Sequence, residues 1–153
     1  MRKNAAKKAK GAMKMKIMTA VCVMALLVIA SSAWAGAPKR VKFTWDGGEA
    51  VAELNASPSA ESLWAMLPVT VDFEDFNGVE RIGYTDEKLS TEGAPESCTP
   101  DAGTLALYAP WGNLSVFYKP FRESRGLVPL GSFIEGADKI STLGEAVRIE
   151  RAE

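Results

Sequence analysis

Histidine is absent from this 153-residue sequence, and its absence limits the chemistry that the other side chains can perform. Histidine is the side chain that most often serves as a general base and as a metal ligand. Without it, the sequence predicts neither a catalytic triad of the ordinary type nor a conventional zinc site. The acidic run at residues 72–75 does not have the spacing of a calcium-binding loop. We therefore expect no bound metal and no cofactor.

The remaining candidates for chemistry are aromatic and polar side chains in turns and near the predicted ends of strands. Aromatic rings beside a few convergent polar groups are typical of sites that bind small molecules or peptides. The candidate ligand-binding residues are Tyr84, Glu92, Tyr108, Trp111, Asn113, Phe117 and Tyr118. The alternative interpretation is structural: residues 110–113 form a packed hairpin corner, and Phe117 belongs to the core.

The first 35 residues have the three parts of a secretory signal peptide. Seven Lys and Arg residues and no acidic residue precede an uncharged run at residues 17–30, and Ala33 and Ala35 occupy the positions that a signal peptidase reads. We expect cleavage after Ala35 and export to the periplasm or the extracellular space. The alternative is an uncleaved membrane anchor, since the uncharged stretch of about 21 residues is long enough to span a membrane in the same orientation.

Removal of the predicted signal changes the charge and the cysteine content of the protein. The whole chain has 18 basic and 19 acidic residues, whereas residues 36–153 have 11 basic and 19 acidic residues, a net charge of -8. Binding to nucleic acid requires a cationic face, so we expect no nucleic-acid partner. Cys98 would be the only remaining cysteine, which excludes an intramolecular disulfide. No basic residue adjoins it in sequence, which argues against a redox role.

The rest of the chain predicts a short linker at residues 36–39 and one mostly-β domain over residues 40–153. Alternating apolar residues on either side of Asp46-Gly47-Gly48 predict a hairpin. Ser57 followed by Pro58 predicts the start of a helix that ends before Pro68. Further strands are predicted at residues 69–73, 81–84, 104–109, 114–119, 127–134 and 146–151, and a weak helix at residues 138–143.

Residues 85–103 form the longest segment without a clear periodicity of apolar residues, and they contain two prolines and two glycines. Loops of this length are often functional or mobile. We therefore expect a long loop between the strands that carry Tyr84 and Tyr108.

One segment of the sequence is distinctive: Tyr-Ala-Pro-Trp-Gly-Asn-Leu-Ser-Val-Phe-Tyr at residues 108–118, together with residues 82–84, 87–95 and 103–105. With the opening hairpin and the proline-led helix, these segments resemble a family of small bacterial proteins with a cyclophilin-like fold. The resemblance covers nearly all of residues 40–151. It implies a mostly-β architecture, namely a closed cyclophilin-like β-barrel of about eight strands with one or two capping helices.

The resemblance also implies a possible activity. Cyclophilins rotate X-Pro bonds, whose uncatalysed barrier is about 20 kcal/mol. Their site combines an apolar pocket with an arginine that hydrogen-bonds the twisted amide, so it needs no histidine. Arg81 is the nearest candidate for a catalytic residue. However, the cyclophilin pattern places an aromatic residue two positions before that arginine, and Val79 occupies that position here.

Three functions are therefore compatible with the sequence. Binding of a small molecule or a peptide in an aromatic-lined cleft is the one that we expect. A weak peptidyl-prolyl isomerase and a structural or partner-docking module are the alternatives. We expect contact with a membrane only through the signal peptide or an uncleaved anchor, and the oligomeric state stays open.

Overall fold

The computed structural model of the protein describes residues 36–153. The predicted signal peptide, its cleavage site and Cys22 lie outside the described residues. In chain order the strands are β1 (Arg40–Trp45), β2 (Gly48–Leu54), β3 (Val69–Val71), β4 (Phe73–Phe76), β5 (Glu80–Tyr84), β6 (Ser97–Cys98), β7 (Thr104–Tyr108), β8 (Asn113–Phe117), β9 (Ser124–Arg125), β10 (Leu127–Glu135) and β11 (Val147–Arg151). One α-helix, α1 (Pro58–Met66), and one 3-10 turn, Ile140–Thr142, complete the described part of the chain.

The predicted hairpin and helix are both confirmed. Strands β1 and β2 pair in register up to Trp45 and Gly48, which leaves a two-residue turn between them. Helix α1 begins after Ser57, whose hydroxyl oxygen accepts a hydrogen bond from the backbone nitrogen of Ala60 at 3.2 Å. This hydrogen bond satisfies one of the amide groups that have no partner at the start of a helix. In residues 36–153, no helix combines the length and the apolar character that crossing a membrane requires.

Nine of the strands form one sheet in the order β3-β11-β1-β2-β10-β7-β8-β5-β4. The first and last strands of this order, β3 and β4, are consecutive in the chain and are separated only by Asp72. One bent segment therefore pairs with β11 through its first half and with β5 through its second half. This bent segment joins the two edges of the sheet and closes it into a barrel. The mostly-β barrel expected from the sequence is confirmed, with nine strands in its sheet rather than about eight.

Two hydrogen bonds to residues 144–146 hold the bend at Asp72. The Asp72 carboxylate accepts a hydrogen bond from the backbone nitrogen of Ala146 at 2.7 Å. The backbone nitrogen of Phe73 donates to the carbonyl oxygen of Gly144 at 2.8 Å. On β5, a Cβ atom at Gly83 would lie 2.8 Å from the carbonyl oxygen of Asp72. A residue larger than glycine would therefore push the bent segment away from the strand with which it pairs.

Apolar side chains pack on both faces of the sheet, and the two faces differ. The barrel interior is filled by one large cluster that includes Leu63 of α1 and Ile140 of the 3-10 turn, both fully buried. Strands β7 and β8 contribute alternate residues to it, which are Leu105, Leu107, Leu114 and Val116. The intervening residues face the other way, where Ala106, Phe117 and Leu127 form a smaller cluster. This opposite face carries the candidate site.

The long segment at residues 85–103 contains a strand that its sequence does not predict. Strand β6 pairs with β9, so that Ser97 lies opposite Arg125 and Cys98 lies opposite Ser124. The backbone nitrogen of Gly126 also donates to the carbonyl oxygen of residue 96 at 2.9 Å. This small ribbon braces residues 121–126 against the barrel.

Candidate functional site

A cleft of about 570 Å³ lies on the face of the sheet opposite the barrel interior. Its floor consists of side chains of β5, β7 and β8, and residues 121–125 form one of its walls. The opposite rim is formed by Phe76 and Asn77 at the end of β4. The cleft is therefore built on a rigid sheet, with a wall that the β6–β9 ribbon holds in place.

Four of the predicted ligand-binding residues line this cleft: Tyr108, Trp111, Asn113 and Phe117. Tyr108 ends β7, Trp111 lies in the turn that follows, and Asn113 and Phe117 are the first and last residues of β8. Because Asn113 and Phe117 are four residues apart in a strand, their side chains lie on the same face. Both are almost completely buried, whereas the Trp111 side chain is half exposed.

The other four candidates lie outside the cleft. Tyr84 is 54% exposed at the end of β5, and Glu92 is exposed in the loop between β5 and β6. Tyr118 directly follows Phe117 and therefore lies on the other face of the sheet. Arg81 lies opposite Val116 of the interior cluster, so its side chain points away from the cleft.

Arg81 and Tyr118 meet instead at Asp75. The Tyr118 hydroxyl donates a hydrogen bond to the Asp75 carboxylate at 2.5 Å, and the Arg81 guanidinium lies 3.8 Å from the same carboxylate. The hydrogen bond from Tyr118, followed by one from the backbone of Gly78, lowers the pKa of Asp75. The same hydrogen bond raises the pKa of Tyr118. This cluster joins β4, β5 and the end of β8, and it stabilises the mouth of the barrel.

Three aromatic rings cross the cleft in a row that we call the aromatic bar: Tyr108, Trp111 and Phe76. The Trp111 ring contacts Tyr108 edge to face, with centroids 5.3 Å apart and an interplanar angle of 82°. It contacts Phe76 in the same way, at 5.5 Å and 86°. Tyr108 belongs to β7 and Phe76 to β4, and the sheet places β8 and β5 between them. The Trp111 indole therefore spans the two central strands of the cleft floor.

The other end of the cleft is apolar with a cationic edge. The rings of Phe117 and Phe121 stack with centroids 6.4 Å apart. The Arg122 guanidinium lies 5.5 Å from the centroid of the Phe121 ring, a distance at which cation and ring attract each other. Arg125 also lines the cleft, and its largely exposed side chain lies 3.9 Å from Glu96.

A row of three polar side chains, which we call the polar row, runs along the floor: Asn113, Ser115 and Glu80. The Asn113 amide nitrogen donates to the Ser115 hydroxyl at 3.0 Å and to the carbonyl oxygen of Leu114 at 3.1 Å. The Asn113 side-chain oxygen has no hydrogen-bond partner within residues 36–153, although it is buried. A buried acceptor without a partner costs about 1–3 kcal/mol. The polar row therefore contains a buried acceptor without a protein partner among the described residues.

The Glu80 carboxyl group ends the polar row on β5, the strand next to β8. Burial raises the pKa of this group, and the hydrogen bond from Ser115 lowers it by a smaller amount. The hydrogen bond between Asn113 and Ser115 at 3.0 Å joins two of the three side chains, and Glu80 lines the same cleft floor beside them.

Several lining residues are missing from the sequence prediction. Side chains alternate between the two faces of a strand, so Ser115 lies on the cleft face with Asn113, and Glu80 lies there with Ile82. This alternation would have identified both residues from the sequence. Phe76 is the cross-strand partner of Glu80 on β4 and therefore lies on the same face, whereas Phe121 lies in the loop that follows β8.

A second, smaller pocket of about 370 Å³ includes Cys98, Pro129 and Ile134. Burial raises the pKa of the Cys98 thiol, and the negative charge of Asp101 raises it further. A raised pKa lowers the fraction of reactive thiolate, which agrees with the expectation of no redox role. Within residues 36–153, no three acidic or cysteine side chains are close enough together to hold a metal ion.

We expect Glu80→Gln to stabilise the protein at neutral pH. Because the folded-state pKa of Glu80 is raised, ionisation at this position weakens the fold as pH rises from the ordinary glutamate range through that raised pKa. The amide keeps the shape of the side chain and cannot ionise. Urea unfolding should show a gain for the variant at pH 7 that disappears near about pH 3.5, below the ordinary pKa of glutamate.

Glu74→Gln is the matched control, since it removes one negative charge from an exposed position on the neighbouring strand β4. Its effect at pH 7 should be smaller than that of Glu80→Gln. Parallel pH profiles for the wild type and Glu80→Gln would contradict the assignment of a half-buried, destabilising carboxylate.

Comparison with known proteins finds a matching family model and solved structures of similar fold. The model of a family described as cyclophilin-like matches residues 43–150. The solution structure of a hypothetical protein from Archaeoglobus fulgidus is similar in fold, with a TM-score of 0.58 and 19% sequence identity, over 78% of this chain and 99% of that chain. Among curated proteins, none matches significantly. Since the family match covers most of the sequence, including every strand of the cleft floor, the chain belongs to the cyclophilin-like family.

Proposed function

We propose that the protein binds a small molecule or a peptide in the cleft between the aromatic bar and residues 121–125. The observation that supports this function is the placement of the half-exposed Trp111 indole over a floor that contains a buried, unpaired acceptor on Asn113. Ligand sites are typically concave and mostly apolar, with a few polar groups that fix orientation.

The dimensions of the cleft support the proposal. Its volume of about 570 Å³ lies within the range of roughly 300–1,000 Å³ that is usual for small-molecule sites. Five aromatic side chains line it, and the polar row supplies directional groups. A purely structural role for residues 110–113 would predict a buried Trp111, whereas half of this side chain is exposed.

We expect Trp111→Ala to weaken ligand binding by about fivefold, since one aromatic contact contributes roughly 0.5–1.5 kcal/mol beyond its buried area. The measurement is a titration of the protein with a library of metabolites and short peptides, followed by the indole N–H resonances in NMR spectra. Each tryptophan gives a separate resonance, and that of Trp111 should move first.

Ile134→Ala is the control, because Ile134 is also a large, exposed apolar residue on the same sheet but does not line the cleft. It should leave every affinity unchanged. A folded Trp111→Ala variant that keeps the affinity of every ligand would overturn the site assignment. Binding of a partner protein outside the cleft would instead support the partner-docking alternative.

Weak prolyl isomerase activity is a second candidate, and one observation favours it. Phe117 and Phe121 form an apolar pocket in the cleft, and Arg122 lies beside it. An apolar surface next to a guanidinium group is suited to hold a proline ring and to hydrogen-bond the twisted amide. In this candidate the arginine is Arg122 rather than Arg81, whose side chain is directed to Asp75 and to the backbone of Phe73.

A protease-coupled assay on an X-Pro peptide decides between the two functions. Isomerase activity predicts a rate above the uncatalysed rate for the wild type and for Arg148→Ala, and a lower rate for Arg122→Ala. Arg148 is a suitable control because it is exposed on β11 and does not line the cleft. A wild-type rate equal to the uncatalysed rate would exclude this candidate.

We also propose that the protein acts outside the cytoplasm, because residues 1–35 combine a basic start, an uncharged run and small residues at positions 33 and 35. The mature protein would then begin at Gly36. The mass of the protein recovered from the periplasm or the medium tests this proposal directly.

We expect Ala35→Leu to block cleavage, because the peptidase requires a small residue at that position. Trp34→Leu is the control, since the position between the two small residues is not read, and it should be processed normally. Wild-type protein that retains residues 1–35 in the membrane would support the uncleaved anchor instead.

A further inference from the structure

The unpaired oxygen of Asn113 defines what a ligand of the cleft must supply. The Asn113 nitrogen faces the carbonyl oxygen of Leu114 at 3.1 Å. A carbonyl oxygen only accepts hydrogen bonds, so the amide nitrogen must lie on this side and the amide oxygen on the other. The orientation of the side chain is therefore fixed, and its free group is an acceptor.

The polar row cannot satisfy this acceptor by rearranging. The Ser115 oxygen accepts from the Asn113 nitrogen at 3.0 Å, so the contact between these two side chains does not involve the Asn113 oxygen. Reversing the row would place the Asn113 oxygen against the Leu114 carbonyl oxygen. A donor for Asn113 has to come from outside the row.

The aromatic bar determines the shape of the group that carries this donor. The indole of Trp111 spans β8 and β5, the strands that carry Asn113 and Glu80. The flat rings of the bar favour a planar partner. The Asn113 oxygen is covered in the structure, so a ligand that reaches it must displace the side chains above it. The half-exposed Trp111 ring, which contacts Phe76 and Tyr108 edge to face, lies at the solvent side of the cleft.

We propose that the ligand carries an N–H donor on a planar apolar group, as an aromatic amide does. Its N–H donates to the side-chain oxygen of Asn113, and its planar part packs against the rings of the aromatic bar. This inference rests on the proposed binding function and specifies the class of ligand. A free aromatic amide and an amide group within a peptide share this chemistry.

The test compares benzamide with N,N-dimethylbenzamide, which has the same ring and carbonyl group but no N–H. The readouts on the purified protein are the indole N–H resonance of Trp111 and the side-chain amide resonances of Asn113. Benzamide should shift both sets of resonances. N,N-dimethylbenzamide should bind about tenfold more weakly, because it leaves the buried acceptor unpaired.

Asn113→Leu removes the acceptor at nearly constant volume. In this variant the affinity for benzamide should fall to that for N,N-dimethylbenzamide, and the affinity for the dimethyl compound should not fall. If the variant does not fold, the two probes on the wild type still decide the question. A third probe, N-acetylphenylalaninamide, distinguishes the sources: tighter binding than benzamide indicates a peptide, and weaker binding indicates a free aromatic amide.

Equal affinities of the wild type for benzamide and its dimethyl analogue, with shifts at Trp111, would overturn the N–H inference and leave the proposed binding function intact. Shifts from other library ligands but none from benzamide would also overturn it. If no ligand of any class shifts the resonances of the cleft, the proposed binding function fails as well.

Discussion

The structure depends on one constraint, which is that a single bent segment must serve both edges of the sheet. A sheet of nine strands has two free edges unless it closes, and here β3 and β4 occupy those edges within eight consecutive residues. The bend between them is possible because Asp72 is anchored to residues 144–146 and because Gly83 leaves room for its backbone. Closure therefore depends on the Asp72 carboxylate and on the absence of a side chain at Gly83.

Closure also decides where a binding site can lie. The barrel interior is filled by apolar side chains from most of the strands and from α1, whereas the cleft lies on the opposite face of the sheet. Polar groups of β5 and β8 that would be costly inside the barrel occur on the opposite face, as Glu80, Asn113 and Ser115. The same strands thus supply the core with one set of alternate residues and the cleft with the other.

The sequence predicts local structure well and the site only in part. The turn at Asp46-Gly47 and the Ser57-Pro58 start of α1 are local signals, and both are confirmed. Trp111 and Asn113 stand out because aromatic and polar residues flank a turn. Tyr118 was grouped with them although it directly follows Phe117 and so falls on the other face of the strand. Arg81 was proposed from the cyclophilin resemblance, and the alternation that places Glu80 in the cleft places Arg81 on the opposite face. Phe76 lies in the cleft because it pairs with Glu80 across the turn at residues 77–79, and this pairing was not among the predicted elements.

The polar row indicates how recognition in this cleft differs from catalysis by proton transfer. Glu80 is the one ionisable group of the row, and burial raises the pKa of its carboxyl group. The other two side chains, Asn113 and Ser115, act as hydrogen-bonding groups without changing their protonation state. The unpaired acceptor is the side-chain oxygen of Asn113. In the proposed binding function this oxygen would fix the orientation of a ligand without any change of protonation state, and the rings of the aromatic bar would supply apolar contacts.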